Sequence, residues 1–185
     1  PRPLQQPTPP IWMTSSSAFS SVEHAKVDYT CATFLCGAVV RSGFDGYRKA
    51  YLEAHGRVAP DKRLAYLGVV AGAGGRKTAF ERAEHMKSYF TTAARLDPQF
   101  RNPPGFNPVK ANVKMMQAGP SAIRPRLRNG TPLPSDATIE QYIDAGLMFV
   151  GTPDDVYEQL KQFYADVGGF GNLLVMGEAG TRCPP

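Results

Sequence analysis

The clearest chemical feature of the chain is a run of hydroxyl side chains, TSSSAFS, at residues 14–20. The run follows a short apolar segment at 11–14 and precedes a helix-like stretch over 22–25. Hydroxyl groups donate hydrogen bonds, and the first-turn amides of a helix have no partners within the helix. These donors and the positive end of the helix dipole favour a phosphate group. The pattern indicates a phosphate site, but a single helix cap within a polar loop explains the same serines.

A second candidate is the glycine-rich segment GAGG at residues 72–75. Such a segment lets a backbone approach a nucleotide, yet it lacks the third glycine of a dinucleotide fingerprint. Chain reversal at the end of a strand explains it at least as well. The three cysteines, Cys31, Cys36 and Cys183, are odd in number and do not have metal-ligand spacing. We expect them to pack in the core, and we predict no metal site.

Residues 151–180 contain the clearest helix and strand pattern of the chain. Thr152 is suited to cap a helix, Pro153 to occupy its first position, and Asp155 to complete a capping box. An apolar stripe follows at helical spacing, formed by Val156, Leu160, Phe163 and Val167. Gly168 and Gly169 end this helix, because glycine readily adopts the left-handed conformation. The apolar run at 172–176 predicts a strand covered on both faces.

The same alternation of strand and helix recurs along the chain. Strands are predicted at 11–14, 30–37, 63–71 and 172–176, and helices at 22–25, 44–54, 78–96 and 139–150. Residues 97–138 are rich in proline and glycine and predict an inserted excursion. Strands joined through helices are typical of a parallel α/β sheet or barrel.

Composition narrows the class of protein. The chain has 185 residues, 42% hydrophobic and 20% charged, which is typical of a globular domain and too polar for a membrane protein. Its formal net charge of +5 is spread along the sequence without aromatic interleaving, so we expect neither nucleic acid nor membrane as a partner. No secretory signal pattern is present, which predicts a cytoplasmic protein. The extended lead-in at 1–10 opens without Met, and we expect the chain to be part of a longer protein.

Four segments resemble the luciferase-like flavin-dependent monooxygenases. They are PIWMTSSSAFSSVEHA, TCATFLCGAVV with GYRKAYLEAHGR, RLAYLGVVAGA, and IDAGLMFVGTPDDVYEQLKQFYADVGGFGNLLVMGEAG, which is the most specific. The resemblance implies that residues 11–180 are the C-terminal half of a (β/α)8 TIM barrel, followed by a tail at 181–185. Its fifth to eighth strands would lie at 11–14, 30–37, 63–72 and 172–177, with 97–138 as an insertion before the last strand.

The resemblance also implies a function and a site. The chain would belong to a monooxygenase that uses reduced FMN and dioxygen on a small organic substrate. Ser16 and Ser17 would bind the FMN phosphate, with Thr14, Ser15 and Ser20 as neighbours. A flavin reductase would supply the reduced flavin, and the enzyme would form a homodimer.

Catalytic residues remain unassigned, because the flavin-ring contacts and the catalytic histidine of the family belong to the N-terminal half. None of His24, His55 and His85 matches that histidine. We therefore expect the fragment alone to be inactive. The alternatives are a non-catalytic half-barrel that binds flavin or phosphate, and a deazaflavin-dependent oxidoreductase that transfers hydride.

Overall fold

Strands and helices alternate along the chain. A computed structural model describes residues 4–15, 18–34, 37–93, 109, 113, 117 and 125–177. Its strands are β1 (Trp12–Ser15), β2 (Thr30–Thr33), β3 (Leu64–Gly72), β4 (Met148–Gly151) and β5 (Asn172–Met176). Its helices are α1 (Ala18–Lys26), α2 (Gly37–His55), a 3-10 helix (Asp61–Arg63), α3 (Arg76–Ala93), α4 (Ile139–Asp144) and α5 (Pro153–Asp166).

The chain divides into two compact units. Unit 1 comprises Pro1–Gly68 with Gln162–Val175, and unit 2 comprises Val69–Lys161 with Met176–Pro185. In unit 1, β1 pairs in parallel with β2, and β2 pairs in parallel with β3. Strand β5 also pairs with β3. In unit 2, the last four residues of β3 pair in parallel with β4. The chain therefore has an α/β fold with a parallel sheet, as the alternation of elements predicted.

Aromatic side chains form the core of unit 1. Tyr66 on β3 is fully buried, and its ring centroid lies 4.4 Å from that of Phe163 and 5.9 Å from that of Phe170. Helix α2 buries Phe44, Tyr47 and Tyr51, which recur at helical spacing along one face.

The core of unit 2 forms around β4. Met148, Phe149 and Val150 are all at most 1% exposed and pair with β3 from Val69 onwards. The sequence prediction of a helix over 139–150 is wrong in its second half. Helix α4 ends at Asp144, and Gly146 follows with a φ of 69°. The run after this glycine is too short to show a period, so only pairing with β3 distinguishes strand from helix.

Two other predicted boundaries change. Helix α1 begins at Ala18 rather than at residue 22, so Ser20 and Ser21 lie inside its first turns. Strand β2 ends at Thr33, and Gly37 already belongs to α2, which was predicted to start near residue 44. The apolar run over 30–40 therefore contains a strand and a helix start, since both elements bury apolar residues here.

Strand β5 has the predicted bounds, but the prediction that both of its faces are covered is wrong. Leu173, Leu174 and Val175 are 41%, 40% and 60% exposed. Successive residues of a strand point to opposite faces, so apolar side chains are exposed on both.

Most of the predicted excursion at 97–138 and the tail at 181–185 lie outside the described residues. Within the described part of the chain, no helix is both long and apolar enough to cross a membrane.

Candidate functional site

The hydroxyl-rich run lies where β1 passes into α1. Strand β1 ends at Ser15 and α1 begins at Ala18. Ser16 and Ser17, the predicted phosphate ligands, lie outside the described residues. Of the remaining predicted residues, Thr14 is exposed, Ser20 is half-buried and Ser15 is 6% exposed. The structure therefore places all three residues at this junction, but they differ in how far they are exposed to solvent.

Ser15 is the centre of a cluster of hydrogen-bonded side chains. Its Oγ atom lies 2.9 Å from Oγ of Ser20 and 2.9 Å from Oγ of Ser21. Ser21 is 2% exposed, and its hydroxyl also accepts a 3.6 Å hydrogen bond from the Cys31 thiol of β2. The cluster thus joins the end of β1, the first two turns of α1 and the middle of β2.

The space beneath this cluster belongs to the core. It is lined by apolar side chains of α2, including Val40 and Phe44, and by Thr33 at the end of β2. Helix α2 comes close to α1 at Gly43, where an added Cβ would lie 3.2 Å from Oγ of Ser21. Ser15 and Ser21 therefore face packed protein, whereas Thr14 and Ser20 are accessible to solvent.

The accessible side of the junction carries donors for an anion. The first turn of α1 contains no acidic residue, so no carboxylate of that turn competes for its amides and dipole. Hydroxyl groups at Thr14 and Ser20 can donate further hydrogen bonds. This donor set fits a phosphate group. Among the described residues, no group of three His, Cys, Asp or Glu side chains could hold a metal ion.

The titratable groups near the junction favour their neutral forms. Burial raises the pKa of the Cys31 thiol, although its hydrogen bonds with Ser21 and Ser15 oppose the shift. Burial also lowers the pKa of His24, and the negative charge of Glu23 opposes that shift. The packing role predicted for Cys31 is confirmed, since its side chain is fully buried and free of any disulfide. Cys36 and Cys183 lie outside the described residues.

The glycine-rich turn of unit 2 is used by the chain itself. Arg76, the first residue of α3, donates hydrogen bonds of 3.0 and 2.8 Å to the two carboxylate oxygens of Asp155. Arg82 donates to the carbonyl of Gly72, and the amide of Ala73 donates to the carbonyl of Gly151. These contacts favour the interpretation of residues 72–75 as a chain reversal.

Three solved structures show what fold the chain has. The oxygenating constituent of 3,6-diketocamphane monooxygenase from Pseudomonas putida, a type II Baeyer-Villiger monooxygenase in complex with FMN, matches 93% of the chain with a TM-score of 0.60 and 22% identity. Monooxygenase RslO1 from Streptomyces bottropensis matches 96% with a TM-score of 0.59 and 15% identity. The long-chain alkane monooxygenase LadA matches 91% with a TM-score of 0.52 and 17% identity. The chain shares the fold of a part of these proteins.

The chain spans less than half of each of these proteins, with 43%, 44% and 37% of their lengths covered. No protein-family model and no curated protein sequence matches the chain. The likeness is therefore one of fold at low sequence identity, and it agrees with the resemblance read from the sequence segments.

Sequence reasoning missed two participants in the site. Ser21, which directly follows the hydroxyl-rich run, and Gly43 of α2 were assigned no role. A buried serine on the packed face of a helix is a signal for a polar partner nearby. The partner itself, Ser15, could not be identified without the orientation of α1 against β1.

Proposed function

We propose that the chain is the C-terminal half of the (β/α)8 barrel of a luciferase-like flavin-dependent monooxygenase. In this proposal β1, β2, β3 and β5 are the fifth to eighth barrel strands, and residues 11–180 belong to one barrel domain. The observation that carries the proposal is the likeness to the FMN-bound oxygenating constituent over 93% of the chain at a TM-score of 0.60. Parallel strands joined through helices in unit 1 support it.

The proposed cofactor is FMN, bound in its reduced form. Active sites of such barrels lie at the carboxyl ends of the strands, which is where β1 meets α1. We assign the phosphate to Ser16 and Ser17, with Thr14 and Ser20 as the accessible neighbouring hydroxyls. Support comes from the donor set at this junction and from the absence of an acidic residue in the first turn of α1. Reduced FMN, when bound, supplies the electrons with which dioxygen is activated.

The contribution of this chain is to bind and orient the cofactor. Helix amides and hydroxyls hold the phosphate, which fixes the flavin at the mouth of the barrel. The proposed substrate is a small organic molecule, and a separate flavin reductase would deliver the reduced flavin. The exposed apolar residues of β5 and of β1, including Trp12 and Met13, would be covered in the complete homodimeric enzyme. No residue of this chain is assigned a catalytic role.

A binding titration with FMN and riboflavin tests the proposal. Riboflavin lacks the phosphate but has the same ring system, so the ratio of the two dissociation constants isolates the phosphate site. We expect FMN to bind at least about tenfold more tightly, because charge-assisted hydrogen bonds contribute about 1.5 kcal/mol or more each. Flavin fluorescence reports binding, and circular dichroism confirms that the chain is folded.

The matched variants are Ser16→Ala with Ser17→Ala, and Ser42→Ala as a control on the exposed surface of α2. The double variant should lose the preference for FMN and keep its riboflavin affinity, whereas the control should behave as wild type. Equal binding of both flavins by the folded wild-type chain would overturn the phosphate assignment. In the full-length enzyme, oxygen consumption with reduced FMN would separate oxygenation from hydride transfer.

A further inference from the structure

Ser15 differs from the other hydroxyl residues of the junction in its surroundings. It is 6% exposed, and its Oγ atom is within 2.9 Å of two other hydroxyl oxygens. A serine hydroxyl has one proton to donate and two lone pairs that accept. Its hydrogen-bonding capacity is therefore largely used within the protein. A phosphate could bond to this hydroxyl only by displacing a partner that is itself partly or fully buried.

Two hydrogen-bond partners of Ser15 are consecutive residues of α1. Ser20 and Ser21 lie in the first two turns of the helix, so the pair of hydrogen bonds ties this end of α1 to the last residue of β1. Ser21 is fixed in turn, because its hydroxyl accepts from the Cys31 thiol of β2 and approaches α2 at Gly43. Ser15 thus connects the start of α1 to a packed core.

We propose that Ser15 is a positioning residue for the phosphate of FMN: it does not contact the phosphate but holds the first turn of α1, with Ser20, in the orientation that binds it. This inference rests on the proposed function and changes the role that the sequence resemblance gave to Ser15, from a neighbour in the binding set to a support beneath it. Oriented amides bind an anion well only when they need no reorganisation, so their support contributes to affinity.

The test compares FMN and riboflavin binding in Ser15→Ala, Ser15→Thr and the surface control Ser42→Ala. Ser15→Ala should reduce the preference for FMN about tenfold, because it removes two hydrogen bonds that hold the binding turn. Riboflavin affinity should stay within about twofold, a pattern that general loss of folded protein cannot produce. Ser15→Thr keeps the hydroxyl and should restore the preference to within about threefold of wild type.

Ser21→Ala provides a second, milder variant, since it removes one of the two α1 hydroxyls that Ser15 contacts and should give an intermediate loss of the FMN preference. The inference is overturned if Ser15→Ala keeps the wild-type preference, if it weakens both flavins equally, or if Ser15→Thr behaves as Ser15→Ala does. Should Ser15→Ala not fold, Ser21→Ala and Ser15→Thr decide by the same criteria. A wild-type chain without preference for FMN instead refutes the phosphate site of the proposed function, so the two failures are distinguishable.

Discussion

Arg48 on α2 stabilises the loop that leads into β5. Its Nη2 atom donates hydrogen bonds of 2.7 Å to the carbonyl of Gly168 and 2.7 Å to that of Gly169. Both glycines have left-handed φ values, 77° and 87°, directly after α5. The guanidinium therefore satisfies two carbonyls at the negative end of a helix. We predict that Arg48→Ala destabilises the protein substantially more than Arg41→Ala, the corresponding change at the other arginine of α2.

The magnitude follows from exposure and geometry. Hydrogen bonds from a charged donor contribute about 1.5–3 kcal/mol each. One nitrogen serves both carbonyls, and the Arg48 side chain is 25% exposed, so the two contributions do not add fully. We expect a loss of about 2 kcal/mol in the free energy of unfolding. Arg41 is 51% exposed and makes one 3.1 Å bond to the carbonyl of Asp166 and a 2.8 Å ion pair with the exposed Asp45, so Arg41→Ala should lose only about 0.5 kcal/mol.

Urea denaturation followed by circular dichroism measures the difference. With a slope of about 2 kcal/mol per molar, the Arg48→Ala midpoint should fall by about 1 M and the Arg41→Ala midpoint by about 0.25 M. Arg48→Lys keeps the charge without the planar fork and should recover about half of the loss. Equal midpoints for Arg48→Ala and Arg41→Ala would refute the reasoning, since they would show that the two carbonyls gain nothing from this guanidinium.

Two further predictions concern a close backbone contact and acid stability. Gly171→Ala should destabilise the protein by about 3 kcal/mol or more, because its Cβ would lie 2.5 Å from the backbone carbon of Asp61, which cannot rotate away. Gly177→Ala, which meets nothing within 4 Å, is the control, and similar urea midpoints for both variants would contradict the prediction. The pKa of Asp155 lies well below its usual range, mainly because of the Arg76 guanidinium and also because of hydrogen bonds from Thr152. The contribution of the Asp155 carboxylate to the free energy of unfolding is complete above its unfolded pKa of about 4 and is lost as the pH falls through the lower folded pKa. The urea midpoints of wild type and Asp155→Asn should therefore converge on acidification and not stay a constant distance apart.

The candidate site was partly predictable from the sequence. The serine run between an apolar segment and a helix start located the junction of β1 and α1, because strand, turn and cap preferences are local. The division of roles within the run was not predictable. Ser15 and Thr14 are adjacent residues with hydroxyl side chains, yet one is buried and the other exposed, since Ser15 packs against α1 through its bonds to Ser20 and Ser21.

Local interactions allowed the sequence alone to determine α5 and its ends. The Thr152 amide donates to Asp155, whose own amide donates back to the Thr152 hydroxyl, so the capping box is confirmed. The left-handed conformations of Gly168 and Gly169 are confirmed as well. Each of these features depends on residues at most a few positions apart, and such residues meet whatever the rest of the chain does.

Only the tertiary structure decided which apolar runs became strands and which hydroxyls became buried. Met148 pairs with Val69, and Ser15 meets Ser21 only because α1 packs back against the end of β1. The exposure of β5 likewise depends on what covers it and not on its composition. Pairing and burial are properties of distant segments brought together, and the free energy of such contacts has no signature within a single stretch of sequence.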